Sequence, residues 1–458
     1  MKYLFISTIF LYLFSELYKG IHLNFIISIC CLSIVGIAIW KISRTAKWIS
    51  GVFLVLGFIL LFRTGTNPGD YISSFGPMLN LLSLFALVPI LALPIRLGNY
   101  AKGIQRVIKK RVQNSRDLYF MTSGISYFFS CFMNLATLPM TYYSIRPSLG
   151  DFSINNKERF MSRAVTHGFA MPLLWTPVTP IVGIVIEMNG VNWASMLPYL
   201  IPLSFLGLAL DWILAGYAHK KYKTSMNPLG GETAATLEET GENSRGGKLI
   251  HILLAILLFN GIVSVIEFTT TYDFVLIVTL LVIPFAFLWC TSIGLIGSFF
   301  GGLQDHFNSH LNKMKDQFVI FLTAGFFISA MKLSHADHLV NLWITGFKDV
   351  VGIQIFLVVL PLVPLILAFM GIHPVVGLAL MAETLDPAGL NISSQLLTLS
   401  MLGGAVSAFL MGPFNATLGL MSSIVEESPY RISNWNAVFT FSYMVVLMIV
   451  LALLQAFM

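Results

Sequence analysis

Charge is what this chain has least of. Only 10% of its 458 residues are Asp, Glu, Lys or Arg, against about 25% in a soluble domain, which excludes a water-exposed surface over most of its length. Cysteine is scarce too. Cys30, Cys31, Cys131 and Cys290 all lie in apolar runs and read as small buried hydrophobes, not as a disulfide framework or a thiolate metal site. No GxSxG or HExxH combination occurs, and Glu187, Glu267, Glu383 and Asp386 are scattered, which disfavours a membrane-embedded enzyme such as a lipid-linked glycan polymerase or a transferase. Only residues 217–248 form a long hydrophilic stretch, with the linker-like run GGETAATLEETGENSRGG.

What is present is apolar. The chain is 56% hydrophobic and 13% aromatic, in repeated runs of about 20 residues, enough to cross a hydrocarbon core. This is the composition of an all-α polytopic membrane protein embedded in a lipid bilayer, and no nucleic-acid partner is expected. The run from Tyr3 to Leu17 lacks a basic region beyond Lys2 and a small-residue cleavage site, so it is kept as a helix. The net charge of +6 matters less than where the basic residues fall.

Lys41, Arg44 and Lys47 follow the second apolar run, which places that loop and the N-terminus in the cytoplasm of a cell inner membrane. A fourth helix, residues 78–94, returns to the basic stretch holding Arg96, Lys102, Arg106, Lys109, Lys110, Arg111 and Arg116. There Ile104, Val107, Ile108 and Val112 recur at helical spacing, which predicts a helix on the membrane surface; a solvated loop is the rival. Residues 118–145 are apolar with basic flanks at both ends, so one crossing cannot serve and a re-entrant hairpin from the cytoplasm is expected. A helix over 166–186, broken at Thr176, Pro177, Thr179 and Pro180, comes next. It is followed by a helix over 193–215, near whose end Asp211 is expected to reach the interface.

The second half repeats this order. Phe132 and Met133 recur 237 positions on as Phe369 and Met370, while Gly168, Leu174, Pro177 and Gly183 recur 236 on as Gly404, Leu410, Pro413 and Gly419. Residues 351–381 then form a second hairpin, entering from outside with Gly371, His373 and Pro374 near its tip. Residues 397–421 form a second broken helix carrying Pro413, Asn415 and Thr417, and 437–454 the last crossing, leaving the C-terminus outside. The expected architecture is inverted repeats with about eleven transmembrane helices, two opposed hairpins and two broken helices. It divides into N-terminal scaffold helices (1–75), a first repeat (76–217), a cytoplasmic linker (218–248), two further scaffold helices (249–316) and a second repeat (317–458).

This pattern resembles the ion-transporter superfamily, and within it the divalent anion/sodium symporter branch. The family carries a Ser-Asn-Thr signature near its hairpin tips and Thr- and Pro-rich helix breaks. FMNLATLPM offers Asn134 and Thr137 at the first tip, TPVTP from Thr176 to Pro180 looks like the first break, and GPFNATLG keeps Asn415 and Thr417 at the second. The second tip, GIHPV from Gly371 to Val375, has no such signature. The resemblance implies a homodimer whose hairpins and broken helices form a mobile transport domain against a scaffold.

Physical chemistry assigns the same residues a role. Half-helix N-termini suit a carboxylate or other oxyanion, and freed carbonyls with Asn and Thr oxygens can ligate a small cation. Asn134 and Thr137 with Thr176 and Thr179 are expected to form one site, and Asn415 and Thr417 with the Gly371–Pro374 turn the other. The rival for any one of them is a hydrogen bond to a neighbouring helix. His167 and His373 are the ionisable groups nearest these sites and the candidates for proton coupling, with sodium as the other coupling ion and no further metal or cofactor; a buried neutral histidine donating to a carbonyl is the rival. The sequence therefore points to a secondary active transporter for a small carboxylate-like anion, working by elevator-type alternating access. The alternative is a polytopic enzyme or an export or assembly scaffold acting on an envelope lipid or polymer.

Overall fold

The computed structural model describes residues 2–18, 23–98, 100, 112–152, 154–221 and 247–457, and these are all-helical. The surface helix expected over residues 104–112 lies outside the described residues except for Val112, as does most of the linker. Among the described residues, eight helices are long and apolar enough to cross a membrane, and up to nine if a bent pair counts as one span. About eleven crossings were expected. The difference arises because Lys2–Leu17 and Asn24–Ala38 have only 16 and 15 residues, and because the first broken helix is cut into pieces shorter than a membrane.

The repeat is plain in the element boundaries. Leu79–Leu97 and Lys315–Leu333 are 19-residue spans beginning 236 positions apart. Trp193–Lys221 and Pro429–Phe457 are 29-residue helices with the same offset. Between them, each repeat places a hairpin and a broken helix. The first hairpin has arms Ser115–Met133 and Thr137–Ile145; the second has Leu362–Phe369 and Pro374–Thr384, and in both the arms pack on each other. The first broken helix runs Lys157–Ala170, Met171–Leu174 and Pro180–Met188; the second runs Ser394–Met411 and Ala416–Val425. Even the caps repeat. Asn156 accepts the Arg159 N–H at 2.7 Å, and 237 residues later Ser393 accepts the Leu396 N–H at 3.2 Å, each satisfying an orphan donor of its first turn.

Five crossings separate the start of the first repeat from that of the second among the described residues: Leu79–Leu97, the first broken helix, Trp193–Lys221, Gly247–Thr269 and Phe274–Ser292. The hairpin adds none because it returns. An odd number inverts the second copy relative to the first. Ala336–Val351 then bends by 116° into Ile353–Val359 and buries none of its side chains, as a helix lying along the membrane surface would.

Two glycines set how closely hairpin and broken helix approach. A Cβ on Gly168 would stand 2.1 Å from the Ser123 carbonyl oxygen, and one on Gly404 would stand 2.4 Å from that of Pro361. Any side chain there drives the two backbones apart. The broken helices are accordingly central, with 94% of the Ser394–Val425 window buried against 28% for Arg44–Thr64, which faces outward.

Candidate functional site at the hairpin tips and helix breaks

The chain turns at Asn134 with φ of 46° and at Gly371 with φ of 91°, positions 237 apart. Both need a positive φ, which glycine enters freely and residues with a Cβ adopt rarely. At the first tip Thr137 is fully buried, yet its hydroxyl and that of Thr141, one turn on, make no hydrogen bond. Thr122, Thr166, Thr279 and Thr323 instead return theirs to the carbonyl four residues back. Thr137 and Thr141 share one helix face and are left free for another partner. At the second tip His373 caps its helix, its Nδ1 accepting the Val375 N–H at 3.3 Å while the ring meets Phe321 edge-on at 5.6 Å. The hydrogen of the neutral ring therefore sits on Nε2. Pro374 occupies the first turn, where a missing N–H costs nothing.

At the first break the Thr176 and Thr179 hydroxyls lie 2.5 Å apart and both residues are buried. Pro177 stands inside the break and Pro180 opens the distal half-helix. A directional chain satisfies the carbonyls around it. The Trp193 indole donates to the Trp175 carbonyl at 2.8 Å, and the Trp175 indole to the Tyr127 hydroxyl at 3.2 Å. Tyr127 meets Ser204 at 2.9 Å, and Ser204 donates to the Met171 carbonyl at 2.9 Å.

The second break, at Gly412 to Asn415 with Pro413 inside it, is handled differently. Asn415 accepts the Leu418 N–H at 2.8 Å and donates to the carbonyls of Ala408 and Phe409 at 2.7 and 3.0 Å. From the last helix, Asn436 donates to the Leu410 carbonyl at 2.9 Å and Ser433 to that of Met411 at 2.7 Å. Four carbonyls that sequence reasoning offered to a cation are thus already engaged. The Thr417 hydroxyl is buried and makes no hydrogen bond.

The contacts joining the repeats run crosswise. Thr137–Ile145 packs on Ala416–Val425, and Pro374–Thr384 packs on Pro180–Met188. Each hairpin's second arm therefore meets the distal half-helix of the other repeat.

Asp211 does not reach the interface. It is fully buried, with its Oδ1 2.7 Å from His167 Nδ1, because its helix runs on to Lys221 instead of ending at Ala215. Tyr119 and Asn436 complete a network around this pair that sequence reasoning did not assemble. The available signal was an aspartate inside an apolar run, itself a functional hypothesis in a membrane segment. The scattered carboxylates find structural work: Glu267 accepts the first N–H groups of Trp193–Lys221 at 2.7 and 3.1 Å, Asp386 caps Pro387–Leu390, and Glu383 pairs with Lys332 at 2.9 Å. One cluster among the described residues has metal-ligand spacing, His335, Asp337 and His338, and it lies largely exposed at the start of Ala336–Val351.

No family model matches this chain, and no curated protein matches it in sequence. Its fold is similar to that of the YdaH transporter of Alcanivorax borkumensis, whose crystal structure is described as revealing an unusual topology. The TM-score is 0.62 at 13% identity, over 89% of this chain and 98% of that one. The chain thus shares the fold of a solved membrane transporter.

Proposed function

We propose that this protein is a secondary active transporter that moves a small carboxylate-like anion across the cytoplasmic membrane. The observation that carries the reading is the paired interruption. Two tips with positive φ, at Asn134 and Gly371, and two breaks, at Thr176–Thr179 and Gly412–Asn415, recur at one offset in oppositely oriented repeats. Interrupted backbone at membrane depth is costly unless it lines a cavity or is buried in protein. Four helix starts with buried, unspent hydroxyls at Thr137 and Thr417 provide N–H groups and polar oxygens for an anion and its coupling ion.

In this reading the hairpins and broken helices move as a unit against the outward-facing helices, in an elevator-type cycle, and two chains associate as a homodimer. The fold likeness to a solved transporter supports the class. The basic flanks of the first hairpin support a cytoplasmic N-terminus and an outer C-terminus. Coupling falls to sodium at the Asn and Thr oxygens or to a proton.

Proteoliposomes offered mono-, di- and tricarboxylates, sulfate and other oxyanions test the reading. Uptake of at least one that is cut tenfold or more by Thr137→Val or Thr417→Val is expected, and no uptake or thermal stabilisation across the panel would overturn it. His373→Ala, assayed without sodium under an acid-outside gradient, separates the couplings. Unchanged transport that still needs sodium would remove His373 from the mechanism.

A further inference from the structure

We propose that His167 and Asp211 form a membrane-buried proton-binding site, holding one exchangeable proton between them. Four helices contribute to it: Tyr119 from the first hairpin, His167 from the first broken helix, Asp211 from Trp193–Lys221 and Asn436 from the last helix. His167 Nδ1 lies 2.7 Å from Asp211 Oδ1, and the Tyr119 hydroxyl, 3.3 Å from Nδ1, donates to the nearer carboxylate oxygen at 2.8 Å. The pair is sealed, with side-chain exposures of 0% and 1%.

The proton follows from the far side of the ring. His167 Nε2 lies 3.1 Å from Asn436 Oδ1. The orientation of that amide is set at its other end, where Nδ2 donates to the Leu410 carbonyl at 2.9 Å. A carbonyl only accepts, so Asn436 offers its oxygen to the imidazole and Nε2 must carry a hydrogen. A neutral ring has only one N–H. Nδ1 would then present a lone pair to a carboxylate oxygen at 2.7 Å, a repulsive contact unless a proton stands between them. That proton belongs to the pair jointly, as imidazolium with carboxylate or as imidazole with carboxylic acid.

The surroundings add few competing charges. On its own helix His167 follows Arg163 by one turn, and the Arg163 Nε is buried without a hydrogen bond. Tyr119 is the titratable group from the hairpin's first arm; on the second arm Tyr142 is engaged with Glu158 at 2.6 Å. The second broken helix, Ser394–Met411 and Ala416–Val425, carries no titratable side chain. The last helix presents Asn436 and Phe439, whose ring stacks on the imidazole at 4.2 Å. Asp211 Oδ2 is buried without a hydrogen-bond partner.

The second repeat supplies a contrast. The positions 236 residues beyond His167 and Asp211 are Gly403 and Leu447, and a Cβ on Gly403 would stand 2.6 Å from the Leu447 side chain. The same two helix positions meet in both copies, through an ionisable pair in one and apolar atoms in the other. Loss of the proton sets lone pair against carboxylate and unties the first broken helix from Trp193–Lys221. Through Asn436 and Leu410 it also reaches the last turn before the second break.

The use of this proton for coupling rests on the transporter reading, whereas its existence is tested without substrate. Melting temperatures of the full chain in lipid nanodiscs, measured against pH, are compared for wild type, Asp211→Asn and His167→Gln. Wild type is expected to lose melting temperature as pH rises and the proton leaves. Asp211→Asn, whose amide donates to Nδ1 with no proton to lose, is expected to keep the low-pH melting temperature and lose the pH dependence. His167→Gln is expected to lose the pH dependence as well. Variants that follow the wild-type curve would overturn the site. Nitrogen-15 and carbon-13 spectra of wild type labelled at histidine and aspartate give a second readout: an unprotonated Nδ1 on His167 beside an ionised Asp211 carboxylate at neutral pH would overturn it even if the variants fail to fold. Carboxylate-driven proton movement into pyranine-loaded proteoliposomes tests coupling separately. Its absence alongside a titration abolished by Asp211→Asn would support the proton site and count against the transport reading alone.

Discussion

The two repeats share a backbone plan but not a chemistry. In the first, Ser123 meets Gly168, His167 pairs with Asp211 and the break is lined by the Thr176 and Thr179 hydroxyls. In the second, Pro361 meets Gly404, Gly403 meets Leu447 and the break is stitched by Asn415, Ser433 and Asn436. Close backbone approach is retained at Gly168 and Gly404, where a Cβ would collide with a carbonyl. The side chains around it differ. One copy therefore carries a sealed ionisable pair where the other has apolar atoms, and one break is lined by threonine hydroxyls where the other has its carbonyls engaged by Asn415, Ser433 and Asn436.

The largest way to break this comparison is to unbalance its charged copy. Asp211→Leu leaves His167 and Tyr119 without their acceptor in a sealed site and should cost about 3–5 kcal/mol, read as a drop in melting temperature or folded yield. The double variant His167→Leu with Asp211→Leu, imitating the apolar second copy, should recover much of that loss. Next come the two contact glycines. Gly168→Val and Gly404→Val should each cost about 1–3 kcal/mol or more from overpacking, and similar losses at both would show that the approach is equally demanding in each repeat. The caps should then separate the copies. Asn415→Ala removes a cap and the donors for two carbonyls, a loss of about 2 kcal/mol, whereas Thr179, whose side chain makes no cap bond, should cost less when changed to alanine. The smallest effect is a control: Gly261→Ala, with nothing within 4 Å of its Cβ, should be neutral or slightly stabilising.

Much of the architecture was legible from charge placement and from the recurrence of Pro and Gly. Basic residues on both flanks of the 118–145 segment made a hairpin necessary, and the turn at Asn134 lies inside it. The offset read from Gly168 and Gly404 is the offset of whole helices, since both glycines sit where two backbones must touch. The crosswise packing of hairpin arms on the opposite half-helices was not legible, because an apolar run does not reveal which of several apolar neighbours it meets. Nor was the cap role of His373: a histidine beside a proline reads as ionisable until the Val375 N–H is seen to point at its Nδ1.

The sequence by itself determined that this chain lives in a membrane, where it turns back, where its helices break and that it says these things twice. Those properties depend on transfer free energy and on local backbone limits, which each segment carries alone. Only the tertiary structure decided that His167 and Asp211, 44 residues apart, share one sealed contact, and that Asn436 faces the far nitrogen of the ring. A buried charge is tolerated through its partners, and partners on four separate helices are chosen by packing.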